Sequence, residues 1–493
     1  MDEDLARYAR FGGTAATNLN AVILIWVLLA VLLILLLPRK YIVVPFFLTA
    51  LLIPLGQRLV IVAIHFSMFR LVIIVGLCRV LWNQIRGSTS SRRIHFNPID
   101  KIFFWYSISN VVTFTLLFSE TQAFVNRMGF ALDSLGTYFL LRLAFEDEDD
   151  VDRAIKVLAV VCGIVALSMM NEQLTGRNLF SIFGGVPQFT NVREGALRSQ
   201  GPFEHAILAG VFGAIMIALF IRLWWRRDSR AIALLGVVSS VIIIITSKSS
   251  TPLAAGLGVV SVVLMWPLRT RMRILRWGIV CALIGLHIVM KAPVWSLIGR
   301  FGAIGGSSGY HRYILVDNFI RRFNEWWLIG VKDTSHWGYD MWDVSNQYVA
   351  VGVSGGLVTL ALFLAVIVYC FKGLGLARKV AEIDGDAARA RGFWALGAAL
   401  FANIVAFFGI TYFDQTQIAW YALLAMIAAL TSSSDSARLS APQMEHPFQI
   451  QTVATLDRAS MRKRNSKGSE SRRNLASACS PKNISCQWRD RVG

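Results

Sequence analysis

Residues 21–37 read AVILIWVLLAVLLILLL, a run without a single charge. A helix rises about 1.5 Å per residue and a bilayer core is about 30 Å thick, so roughly 20 apolar residues cross it. Working outward, comparable runs enclose Val241–Ile245 and Val259–Met265, and they recur too often for a soluble core. Of 493 residues, 55% are hydrophobic and 16% charged, against roughly 45–50% and about 25% in an average soluble domain. The expected fold is all-α, a polytopic helical membrane protein. The opening Met1-Asp2-Glu3-Asp4 is acidic where a removable signal is basic, and no small-residue cleavage site follows Leu37. The first helix is therefore expected to stay.

Apolar periodicity predicts helices at 20–38, 41–56, 59–82, 100–118, 121–145, 152–173, 202–223, 230–246, 251–267, 274–291, 346–371, 392–410 and 415–431. That makes about 12–13 transmembrane helices, the first three interrupted by Pro45, Pro54 and the Gln57-Arg58 pair. Lys and Arg collect in Arg86–Arg93, Arg222–Arg230, Arg269–Arg276 and Lys372–Arg391. Alternation places all four on one side, the cytoplasmic one by the positive-inside rule. Residues 1–431 then form a multi-span membrane domain with two long outer (periplasmic) loops, 174–201 and 292–345, the larger lying between late helices. Residues 432–493 read as a basic, Ser-rich, disordered cytoplasmic tail without apolar periodicity. The +19 net charge is assigned to this tail and to loops facing anionic lipid, and no nucleic-acid-binding module is visible. Six cysteines, at 78, 162, 281, 370, 479 and 486, show neither CxxC nor Cys/His spacing, so no disulfide framework and no metal is expected.

Candidate chemistry sits in the expected outer loops, which are rich in cations despite their side. Arg193 and Arg198 lie in the first, Arg312 in the second, and Lys248 in the turn Thr246-Ser247-Lys248-Ser249-Ser250-Thr251. Guanidinium forks suit phosphate and carboxylate, so the set could hold a lipid-linked diphosphate. The alternative is pairing with Glu172, Glu194, Asp317 or Glu325. The stretch Leu197-Arg198-Ser199-Gln200-Gly201-Pro202-Phe203-Glu204-His205 carries an Arg, an acid and an imidazole straight into a helix. After Ser307-Ser308-Gly309-Tyr310-His311-Arg312-Tyr313 comes an amphipathic segment, Leu315–Trp327, suited to the membrane surface. His336, Asp340 and Asp343 follow. Asp343 could equally cap the helix opening near Asn346, and Trp326, Trp327, Trp337 and Trp342 could stack on sugars or mark the interface. Gly352, Gly355 and Gly356 are read as close helix-packing positions.

Taken in order, the Arg198 loop, the Ser247-Lys248-Ser249-Ser250 turn, Tyr310-His311-Arg312-Tyr313, Leu328-Ile329-Gly330-Val331 and Asn346-Gln347-Tyr348-Val349-Ala350-Val351-Gly352 resemble the O-antigen ligase and polymerase superfamily, particularly its exopolysaccharide-polymerase-like branch. The resemblance covers roughly residues 20–430 in topology, with its motifs confined to about 190–360. It implies a membrane glycosyltransferase of the bacterial inner membrane that joins undecaprenyl-diphosphate-linked oligosaccharide to an acceptor sugar at the outer face, with no cofactor. Membrane lipid and other polysaccharide-export proteins are the implied partners. Arg198 and Arg312 match the family's loop arginines. Ser345 stands where ligases carry a His before the loop-closing Asn, so the general base is left to His336, Asp343, Asp340 or His205, and polymerase is favoured over ligase. Arg193 and Lys248 would assist at the diphosphate, and Trp337, Tyr310 and Asn346 would contact sugar. A transporter or flippase is the alternative, sustained by the intramembrane Arg70 and by the Lys248 turn.

Overall fold

The computed structural model describes residues 19–61, 64–85, 96–193, 195–302 and 308–440. It is 78% helix and 3% strand. Seven helices are long and apolar enough to cross a membrane: Pro98–Phe118, Glu148–Thr175, Ala206–Trp224, Arg227–Thr246, Met272–Val289, Gln347–Ile383 and Ala387–Phe407. Ala21–Leu36 and Ser250–Leu264 are apolar but shorter. The basic loop expected at Arg86–Arg93 lies outside the described residues, as do residues 441–493 of the expected tail, with Cys479 and Cys486.

The first third departs most from the pattern. Helix α1 (Ala21–Leu36) matches, but the next expected helix shrinks to α2 (Val43–Leu52). Pro54 follows its end, and beyond it β1 (Arg58–Ile61) pairs antiparallel with β2 (Ile64–Ser67) before α3 (Met68–Ile85) begins. Gln57, almost fully buried, explains the break: it accepts from Asn20 N at 2.8 Å and donates to Phe183 O at 2.7 Å. A side chain engaged on both sides cannot sit inside a lipid-facing helix.

Helix α4 (Pro98–Phe118) opens on an Asn97/Asp100 capping box. The expected helix over 121–145 forms as α5 (Thr121–Ala131) and α6 (Thr137–Ala144), joined by a π-turn at Leu132–Gly136. Here Arg70 pairs with Asp133 through two hydrogen bonds of 2.8 Å, so the intramembrane arginine has a local acidic partner, as such groups usually do. Helix α7 (Glu148–Thr175) begins with four acids in five residues. They gather Arg222 and Arg226, and Glu148 also holds Arg389.

Helix α8 (Ala206–Trp224) is the centre of the bundle, with 94% of its apolar window buried. Its small residues let neighbours approach. A Cβ on Gly210 would lie 2.5 Å from Pro252, and one on Gly213 would lie 3.0 Å from Ser240 O. Around it pack α9 (Arg230–Thr246), α10 (Ser250–Leu264) and α16 (Ala387–Phe407), while α11 (Met272–Val289) buries none of its residues. Helix α17 (Gln415–Ser440) runs on into the stretch expected as tail.

Between α11 and Gln347 the chain forms α12 (Leu297–Gly302), α13 (Ser308–Arg321) and α14 (Phe323–Trp326). Leu315, Trp326, Trp337, Met341, Val349 and Val353 build a small core of their own there. Helix α15 (Gln347–Ile383) is broken at Gly356, whose φ of 73° is left-handed. Into the break runs the 327–331 segment: Leu357 N donates to Trp327 O at 2.7 Å and Val331 N to Val353 O at 2.8 Å. Gly352 lies under the Phe319 ring, which stacks on Trp326 at 3.9 Å. Of the glycines read as helix-packing positions, Gly352 and Gly356 thus seat the preceding segment on α15, while Gly355 faces Thr359 of the same helix.

Candidate functional site

One end of the bundle gathers the C-terminal end of α7, the segment entering α8, the α9–α10 turn, the start of α15 and residues 408–414. The organising group is Glu172, fully buried in the last turns of α7. Its carboxylate accepts from Gln200 N, Gly201 N and Thr190 Oγ1. It therefore holds backbone rather than pairing with an arginine among the described residues. Ser199 N donates to Thr246 O at 3.1 Å, and the 93%-buried Arg198 reaches Ser247 O through Nε at 3.5 Å. Lys248 follows with φ 43°, its side chain exposed. Of the other acids weighed as partners, Asp317 takes Arg321 and Glu325 takes Arg322, while Glu194 lies outside the described residues.

His205 closes this segment as the N-cap of α8, its Nδ1 accepting from Ile207 N at 3.1 Å. An imidazole accepting at Nδ1 carries its proton on Nε2, so it offers the site a donor. Burial, then Arg198 and Arg193, push its pKa below the usual histidine value. Arg193, on β3 (Asn191–Arg193), pairing with β4 (Ala196–Arg198), thus bears on His205, and it bears equally on Arg312. Burial, then Arg193, depress the Arg312 guanidinium, while Asp343 acts in the opposite sense. Arg312 is 92% buried on α13, and its Nε has no hydrogen-bond partner among the described residues. A buried N–H left unpaired costs about 1–3 kcal/mol, so this guanidinium retains an unmet donor. Arg193, Arg198, His205, Arg312 and Asp343 therefore form one electrostatic group, although they come from two loops about 110 residues apart.

The remaining sequence candidates fall elsewhere. His336 Nε2 meets Glu325 Oε2 at 2.8 Å, where Trp337 Nε1 donates at 2.9 Å, and Arg322 donates to the other oxygen, Oε1, at 3.0 Å. Desolvation alone would raise Glu325, but these hydrogen bonds overcome it and hold the carboxyl down to about 2. Asp340 is exposed in a turn with φ 63°. Trp337 is buried in the small core, while Tyr310 is exposed. Asn346 caps α15, accepting from Tyr348 N and Val349 N. The cap considered for Asp343 is thus Asn346, which leaves the Asp343 carboxylate exposed and facing Arg312 electrostatically.

Sequence reasoning missed Asp414. It is buried just before α17, accepting from Thr416 N at 2.8 Å and Glu204 N at 3.1 Å, and burial raises its pKa to about 7. An acid before an apolar run signals a cap, which it also is, and nothing in the pattern announces the contact with Glu204. Among the described residues no group of three His, Cys, Asp or Glu side chains is placed to hold a metal ion. An apolar cavity of about 800 Å³, lined by Leu81, Phe104, Trp105, Met128 and Leu135 among others, lies between α3, α4 and α5.

No protein-family model matches this chain, and comparison with curated proteins likewise finds no match.

Proposed function

We propose that this protein is a membrane glycosyltransferase that joins oligosaccharide repeats carried on undecaprenyl diphosphate into a surface polysaccharide. The observation that carries the reading is Arg312: a buried guanidinium whose Nε has no hydrogen-bond partner among the described residues, coupled electrostatically to Arg193 and Asp343. The fork geometry of guanidinium suits a diphosphate. In this reading the chain crosses a bacterial inner membrane about a dozen times. The 174–201 and 292–345 loops face outward, and the C-terminal end lies in the cytoplasm.

The chemistry follows from the groups present. The donor's anomeric carbon is bonded to a diphosphate oxygen. As that bond breaks, charge develops on the leaving diphosphate, and Arg312, Arg198 and Arg193 stabilise it, with His205 Nε2–H as a further donor. Each preorganised donor of this kind is worth about 10²–10³-fold. The acceptor hydroxyl oxygen bonds to the anomeric carbon and gives up its proton. Asp343, exposed beside Arg312, takes it. His336 is occupied by Glu325, and His205 already holds its proton on Nε2.

Ligase-type transfer to a lipid or protein uses the same donor site and differs in acceptor alone. Transport of a lipid-linked substrate is the alternative reading; Arg70, which with the Lys248 turn sustained it, is paired with Asp133.

The test is the surface-polysaccharide profile of a host lacking the protein, complemented with wild type, Arg312→Ala or Arg198→Ala at matched membrane levels. Loss of long chains with single-repeat glycan retained supports the polymerase. Accumulated lipid-linked polymer without conjugate supports the ligase. An unchanged profile in the null strain overturns both.

A further inference from the structure

The segment between α13 and α15 exposes two sets of large rings with different surroundings. One combines Ile320, Phe323, Trp327 and Leu328 with the arginines at 321 and 322. Aliphatic and aromatic side chains mixed with arginine suit the headgroup region of a membrane. The other consists of Tyr310, 70% exposed, Tyr339, 96% exposed, and Trp342, 68% exposed. It carries no exposed aliphatic side chain and is interleaved with Asp340 and Asp343. Carboxylates repel an anionic lipid surface, so this second set is poorly suited to it.

The backbone that presents it is fastened in place. Between Asp340 and Trp342, Met341 points inward to the small core, and its carbonyl accepts from the buried Thr334 Oγ1 at 2.6 Å. Trp337 O accepts from Asn318 Nδ2 at 3.1 Å, which fastens the same turn to α13. The two halves of the set are brought together by His311 Nε2, 3.1 Å from Asp343 O. Tyr310 and Trp342 immediately precede the two residues in that contact, and Asp343 in turn faces Arg312 electrostatically.

We infer that Tyr310, Tyr339 and Trp342 form a platform that binds an uncharged stretch of oligosaccharide, the acceptor chain, running up to the Arg312–Asp343 group. Pyranose rings present C–H faces to an aromatic ring and hydroxyl donors around their edges. A surface of exposed rings with carboxylate acceptors between them matches both. A turn whose backbone is fastened before binding loses little conformational freedom there, which favours affinity. The role as acceptor site rests on the glycosyltransferase reading, whereas carbohydrate binding itself does not.

The experiment uses the full chain in nanodiscs. The probe is the host's own surface polysaccharide, released from its carrier by mild acid and cut to short oligosaccharides. Binding is read by saturation-transfer NMR and fluorescence titration for wild type, Tyr310→Ala/Trp342→Ala and Phe323→Ala/Trp327→Ala. Saturable binding is expected for wild type and for the Phe323/Trp327 pair, weakened by about tenfold or more in the Tyr310/Trp342 pair, as for buried aromatic anchors at interfaces. No binding by wild type overturns the inference. So does equal binding by the Tyr310/Trp342 pair, or a defect in that pair limited to association with phosphatidylglycerol vesicles. The two readings separate cleanly. Normal glycan chains from Arg312→Ala, alongside platform-dependent binding, would leave a carbohydrate site on a protein that is not this transferase. Lost chains in Arg312→Ala, with full-length chains and unchanged binding in Tyr310→Ala/Trp342→Ala, would leave the transferase without the platform.

Discussion

The Glu172 carboxylate accepts the backbone N–H groups of both Gln200, at 3.1 Å, and Gly201, at 2.9 Å, with no exposure to solvent. Arg198 lies two residues before Gln200, so an acid in one helix fixes where a loop arginine can stand.

Replacing that acid separates two effects. Glu172→Ala strands two buried N–H groups and lowers stability by about 1–3 kcal/mol. Glu172→Gln keeps one carbonyl acceptor and lowers it less. Thermal unfolding of both variants in detergent checks the order, and a polysaccharide profile at matched levels checks whether Arg198 has lost its place.

The break in α15 makes a second prediction. A Cβ at Gly356 would lie 2.4 Å from Leu328 O, and one at Gly330 2.3 Å from Val353 O, and both residues have left-handed φ. Alanine at either site costs about 1–3 kcal/mol from backbone conformation alone, with the clash in addition. Gly375, helical with nothing near its Cβ position, is the control, since alanine there gains about 0.5–1 kcal/mol. Equal melting temperatures for all three variants would refute the seating of the 327–331 segment.

At the start of α7, Arg222 Nε lies 2.9 Å from Asp152 Oδ1, and both side chains are about 95% buried. Removing one partner of such a pair leaves a buried charge and costs about 3–5 kcal/mol. Asp152→Ala should fall toward the lower figure, because Glu148 still accepts from Arg222 at 3.2 Å. Denaturation of Asp152→Ala and of Asp152→Ala/Arg222→Met measures this, and the double variant should recover part of the loss.

His205 gives a pH dependence. Its folded pKa is lowered, so the unfolded chain binds the extra proton and stability rises with pH through this window. The contribution is complete above the unfolded value of about 6.5 and is lost as pH falls through it toward the folded value. Asp414 acts oppositely: its pKa is raised to about 7, so its contribution is present in acid and lost as pH rises toward that value. The difference between wild type and His205→Asn, which keeps a cap acceptor, isolates the histidine. Melting curves from pH 5 to 7.5 should show wild type losing more stability in acid than His205→Asn does.

Much of the helical framework was legible because bilayer length and apolar runs are both local properties of the chain. Helices over 100–118, 202–223, 230–246 and 274–291 stand within a few residues of their expected places. The second and third expected helices were not legible. Gln57 ends one of them by contacts with Asn20 and Phe183, the latter 126 residues away, and periodicity carries no information about such partners.

The site divides along the same line. Sequence alone determined which residue types crowd the loops: arginines at 193, 198 and 312, an imidazole at 205, acids at 340 and 343. Only tertiary structure decided that Arg312 keeps an unpartnered Nε, that Glu172 holds the Arg198 segment by its backbone, and that Asn346 rather than Asp343 caps α15. It also turned Trp337 inward and Trp342 outward. The physical reason is common to all of them. Burial and hydrogen-bond partnership are relations between distant segments, and a chain read one residue at a time contains the partners but not their pairing.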